Sequence, residues 1–169
     1  MIIYKDVITG DELFSDIYPM KVIDGVFFEV EGKHVTKKND EISDAMIGGN
    51  ASAEEQAEQL DESTVSGINI VLANRLFETG FKSRKEYQTY LKNYMAKIVS
   101  HLEKEKPERV DEFKKEASAA VKKILPNFKD LQFFMGESCN PDGMHVIVNY
   151  KGETPYMYFF KDGLIEEKV

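Results

Sequence analysis

Few side chains in this sequence could do nucleophilic or acid–base chemistry. There is one cysteine, Cys139, and there are three histidines, His34, His101 and His145. A thiolate nucleophile needs a base within hydrogen-bond reach, and no motif joins any of these histidines to Cys139. The chain carries no Walker phosphate loop, no Gly-x-Gly-x-x-Gly turn, no nucleophile elbow and no zinc-ligand spacing. An ordinary catalytic enzyme is not expected, so the candidate functions lie with charged surfaces.

Charge is unevenly placed. Between Asn39 and Asn74 there is no lysine or arginine, while Asp40, Glu41, Asp44, Glu54, Glu55, Glu58, Asp61 and Glu62 supply eight acids. Acids at that density attract cations, but an EF-hand's spaced Asp/Asn ligands, central glycine and terminal glutamate are missing. A hydrated acidic loop and a loose cation site both fit. Residues 82–124 hold 12 Lys/Arg against seven acids, a local +5, leaving 10 against 23, or −13, for the rest. Lys85, Lys92, Lys97, Lys104, Lys114, Lys115, Lys122 and Lys123 are the candidates for binding an acidic partner. A solvated helix face laced with i,i+4 ion pairs is the alternative. The net charge of −8 argues against nucleic acid, which requires a basic face.

The elements that must position these groups are legible in outline. Ile2-Ile3-Tyr4, Val22-Ile23 and Val26-Phe27-Phe28-Glu29-Val30 read as short strands, the last buried on both faces. Asp24-Gly25 and Glu31-Gly32 mark tight turns that need positive φ. The small polar run around Gly48-Gly49-Asn50 cannot bury enough surface to offset its ordering entropy, which predicts a mobile acidic loop over 39–66. Ile68 to Leu72 reads as a strand. Ser83-Arg84-Lys85-Glu86 is a capping box. Tyr87, Tyr90, Leu91, Tyr94, Met95, Ile98, Val99 and Leu102 follow on one helical face, with the tyrosines assigned to the core. After Lys106-Pro107 a second stripe runs through Val110, Phe113, Ala117, Ala120, Val121 and Ile124, ending at Pro126. Two helices joined so tightly predict an antiparallel hairpin over 83–125.

Strands return at Leu131–Met135, Met144–Tyr150 and Tyr156–Phe160, with a short one after Asp162-Gly163. The whole predicts a single α+β domain over 1–169, mostly antiparallel, with the hairpin inserted. With one cysteine, an early charge at Lys5 and no stretch of about 18 apolar residues, a reducing cytosolic address is expected.

Several segments, in order, resemble the translationally controlled tumour protein family. They are Met1-Ile2-Ile3-Tyr4-Lys5-Asp6 with Asp11-Glu12-Leu13-Phe14-Ser15-Asp16, Ile47-Gly48-Gly49-Asn50-Ala51-Ser52-Ala53-Glu54, and Phe128-Lys129-Asp130-Leu131-Gln132-Phe133-Phe134-Met135-Gly136-Glu137. Asn140-Pro141-Asp142-Gly143-Met144 and Thr154-Pro155-Tyr156-Met157 also fit. The resemblance implies a β-tent core with a projecting hairpin and a cytoplasmic protein. It implies weak Ca²⁺ binding, with Glu12, Asn50 and Gln132 at the associated positions. The partners it implies are tubulin or microtubules, a small GTPase, anti-apoptotic proteins and a translation elongation factor, with roles in growth and survival. Glu12 is the residue expected to contact the GTPase, since an inserted carboxylate can compete with phosphate for Mg²⁺ or a lysine. Many members end in cysteine where this sequence has Val169, so dimerisation through a terminal disulfide is not expected.

Overall fold

The β-branched and aromatic runs pair into antiparallel sheets in a computed structural model that describes residues 1–38 and 64–169. The strands are β1 (Ile2–Asp6), β2 (Glu12–Ser15), β3 (Met20–Ile23), β4 (Phe27–Glu31), β5 (His34–Lys38), β6 (Thr64–Ile68), β7 (Phe77–Thr79), β8 (Gln132–Met135), β9 (Val146–Lys151), β10 (Thr154–Phe160) and β11 (Leu164–Lys168). The helices are α1 (Asn69–Asn74), α2 (Arg84–Glu105) and α3 (Val110–Ile124). The central sheet has the order β3-β4-β10-β9-β8-β7, a second has β11-β1-β2, and β5 pairs with β6. No described helix is long and apolar enough to cross a membrane.

Aromatic residues join the layers. On one face of the central sheet Tyr87 meets Phe133 at 4.7 Å and Tyr94 meets Phe160 at 5.4 Å, which seats the hairpin. On the other face Phe14 stacks on Phe159 at 4.1 Å and Tyr4 meets Phe28 at 5.5 Å, which seats the three-stranded sheet. Each such pair contributes about 1 kcal/mol beyond area burial. Strand β4 lies between both layers, so Val26, Phe27, Glu29 and Val30 are buried, as the run's near-continuous apolarity indicates. Asp24 (φ 54°) and Gly25 (φ 75°) are the central residues of the turn between β3 and β4, closed by the Val26 amide on the Ile23 carbonyl, and their two positive φ values match the twist of the strands.

Some expectations are corrected. The run Ile68 to Leu72 is not one strand: Ile68 ends β6 and Asn69 opens α1. The Asn69 Oδ1 accepts from the Ile70 amide at 2.9 Å and from the Lys33 amide at 3.0 Å, which turns the chain. So short an apolar run carries no readable period. Gly32 has no positive φ. Its amide donates to the Pro155 carbonyl, and a Cβ there would press on Ile68. Of the segment 39–66, residues 64–66 belong to β6, and residues 39–63 lie outside the described part. Strands β2, β5 and β7 are too short or polar to stand out in sequence and are defined by their partners.

Candidate binding surface

Ser83 begins α2 as expected, its Oγ accepting from the Glu86 amide at 3.2 Å. Tyr87, Leu91, Tyr94, Ile98 and Leu102 are buried from α2, and Phe113, Ala117 and Ala120 from α3. Because the apolar stripes face inward, all eight candidate lysines are exposed.

Antiparallel folding sorts the hairpin's charge. The first half of α2 lies beside the second half of α3. Residues 82–97 and 114–124 together hold nine Lys/Arg against Glu86 and Glu116, whereas 98–113 at the tip hold three against five acids. The hairpin's +5 therefore resolves into +7 at its base and −2 at its tip. The ion-pair lacing considered from sequence is sparse. Lys97 pairs with Asp142 at 3.3 Å and Lys123 with Asp24 at 2.9 Å. Among the described residues, Lys85, Lys92, Lys104, Lys114, Lys115 and Lys122 have no acidic partner within 4.0 Å.

Arg109, beside the tip, behaves differently, and nothing in the sequence distinguished it. It sits in a 3-10 turn (Pro107–Arg109) between the helices and is mostly buried. Its guanidinium donates to both Asp162 oxygens at 3.2 and 3.0 Å, to the Gly25 carbonyl at 2.8 Å and to Glu116. These bonds, Asp162 first, hold its pKa above the ordinary arginine value. One side chain thus ties the hairpin to the β3–β4 turn and to the end of β10.

Glu12 is exposed at the start of β2, opposite Lys5 of β1. Its position is fixed by its neighbour. Asp11 accepts from the Ser138 hydroxyl at 2.6 Å and the Ser138 amide at 3.2 Å, and lies where a Cβ on Gly136 would fall. Asp6 completes this clamp by accepting from the Met144 amide at 2.8 Å and the Ile8 amide at 2.8 Å. Burial pushes the Asp6 pKa up, against the opposing effect of those amides. Asp6 at the end of β1 and Asp11 just before β2 therefore hold the 136–144 segment, an arrangement that depends on contacts about 130 residues apart.

Of the positions that the resemblance associates with calcium, Glu12 and Gln132 lie among the described residues. Glu12 belongs to the three-stranded sheet and Gln132 to the central sheet. Gln132 donates its side-chain amide to Glu78 at 3.4 Å, and Asn50 lies outside the described residues. Asp11 sits against Gly136, four residues or about 13 Å along the strand direction from Gln132. Among the described residues no three His, Cys, Asp or Glu side chains are grouped to hold a metal.

The histidines and Cys139 are equally dispersed. His34 stacks on Tyr150 and shares a 2.9 Å hydrogen bond with its hydroxyl. His145 is buried against Phe81 and Tyr90, with Nδ1 3.2 Å from the Gly143 carbonyl. Burial holds its pKa below the ordinary histidine value, with that hydrogen bond opposing. Tyr90 donates its hydroxyl to the Gly143 carbonyl at 2.6 Å and accepts from the His145 amide at 3.0 Å. Cys139 is exposed in a neighbouring turn, with no described hydrogen bond to a histidine.

In class this is an antiparallel α+β protein carrying a helical hairpin with a basic base and an acidic tip. The family profile described as "Translationally controlled tumour protein" matches residues 1–165. A translationally-controlled tumor protein homolog of Branchiostoma belcheri is 53% identical over 170 residues, covering 99% of each chain. The translationally-controlled tumor protein of Homo sapiens is 51% identical over 172 residues, again with 99% of each covered. The solved translationally controlled tumor-associated protein of Schizosaccharomyces pombe superposes with a TM-score of 0.81 at 47% identity, covering 100% of both chains. The chain belongs to the translationally controlled tumour protein family.

Proposed function

We propose that this protein is a multi-partner binding protein whose hairpin base takes acidic surfaces, with the acidic tails of tubulin on microtubules as the leading partner. The observation that carries this reading is the +7 base, where most of the candidate lysines have no described internal partner. Unpaired exposed ammonium groups can release counterions and steer an acidic chain without first breaking an internal bond. Such binding weakens as salt rises. Reversing Lys114, Lys115, Lys122 and Lys123 to glutamate should reduce microtubule co-sedimentation about tenfold or more. Unchanged co-sedimentation would remove the proposal. A cytoplasmic address, anti-apoptotic proteins and a translation elongation factor belong to the same proposal, since an acidic segment on any of them meets the same chemistry.

A second reading concerns a Ras-like small GTPase, for which the protein would act as exchange factor or chaperone through Glu12. The supporting observation is the clamp: Asp11 fixes the loop while Glu12 is exposed beside it. Under this reading Glu12→Val lowers affinity for the nucleotide-free GTPase and leaves the thermal midpoint unchanged. Equal affinity of the variant would dismiss it. Calcium is proposed as a weak ligand only, because among the described residues no three His, Cys, Asp or Glu side chains are grouped to hold it. Submicromolar affinity by calorimetry would contradict that.

A further inference from the structure

Between α2 and α3 runs an open groove of about 450 Å³. Its floor is Leu91, Met95, Val99, Phe113, Ala117 and Val121, with Leu125 at one end. Every described lining residue belongs to the hairpin or to Leu125 just after it. Lys92, Lys114 and Lys122 line it, and among the described residues the other polar lining groups are Gln88 and Ser118, with no acid. From Gln88 to Val99 it extends about 17 Å, three helical turns.

We propose that this groove docks an amphipathic helix of a partner protein, with apolar side chains spaced i, i+4, i+7 on one face and Asp or Glu flanking them. The length suits three anchors from three turns, the pattern by which helices occupy apolar grooves. Charge complementarity selects the acidic partner, because among the described residues Lys92, Lys114 and Lys122 have no acidic contact and no acid lines the groove to accept a basic helix. The inference rests on the hairpin as a surface for acidic partners and adds a requirement to it. A plain polyanionic tail satisfies the lysines alone, whereas this groove also requires apolar anchors.

The test uses the full chain and three synthetic 15-residue peptides. The first is helical, with leucines on one face and glutamates on both flanks. The second has the same charge with serine in place of leucine, and the third keeps the leucines with lysine in place of glutamate. Fluorescence anisotropy at low and moderate salt should show the first binding about tenfold or more tighter than either control. Val121→Ser with Val99→Ser should remove that preference while circular dichroism reports an intact fold. Equal binding of the leucine and serine peptides, each dependent on Lys92 and Lys122, would overturn the groove proposal and keep the acidic-partner reading. Failure of all three to bind would remove both. Tighter binding of the lysine peptide, or a dimer of this chain lost in the double-serine variant, would give the groove a different occupant and overturn the proposal.

Discussion

The cations at the two ends of the hairpin are used in opposite ways. At the tip, Arg109 directs its donors into Asp162, Glu116 and Gly25 within the protein. At the base, Lys92, Lys114 and Lys122 border an apolar groove with no described acid near them. Both ends of the hairpin carry cations in the sequence, yet Arg109 is structural and the lysines of the base are offered to solvent. The lesson is that pairing and not charge count separates a cation that holds the fold from one that can hold a partner. Arginine suits the first role because its planar fork engages a carboxylate through two bonds, and lysine suits the second because a flexible point charge adapts to a changing surface.

Breaking the tip should have the largest effect. Arg109→Ala strands Asp162, which is also mostly buried, and should cost about 3–5 kcal/mol in urea unfolding. Arg109→Lys should recover part of it. A loss under about 1 kcal/mol would mean the tip is no more structural than the base. A smaller effect sharpens the contrast within the base itself. Neutralising unpaired Lys92 or Lys122 should weaken an acidic partner about fivefold, and neutralising Lys97, already paired with Asp142, less than twofold. Equal losses would show that Asp142 does not engage Lys97 in solution.

The smallest effect is one of acidity and concerns the clamp beneath α2. The folded chain holds His145 below its ordinary pKa, so the unfolded chain binds that proton more readily. Stability is therefore present above about pH 6.5 and declines as pH falls toward the folded-state value. Asp6, raised by burial, acts oppositely at lower pH, where its protonation relieves a buried charge. The urea midpoint should fall between about pH 7 and 5, and His145→Gln should flatten that decline. An unaltered slope in the variant would assign the acid sensitivity to another group.

Much of this is legible in the sequence. The helical stripes place Tyr87 and Tyr94 in the core because a period of 3.6 residues is a local property, and both are buried. The capping serine, the two-residue turn at Asp24-Gly25 and the doubly buried β4 are likewise local consequences of residue type. The Ile68–Leu72 run misled because four apolar residues in a run of five suit either element, and Asn69 decided between them through its bond to Lys33 from another part of the chain.

By itself, then, the sequence determined the α+β class, the hairpin and its lysines, because periodicity, capping and turn chemistry act over a few residues. Tertiary structure alone decided the rest: that folding back gathers the base to +7, that Arg109 is consumed internally, and that a groove opens between the helices. Charge pairing and concavity depend on which distant segments meet, and no local pattern of residues encodes that.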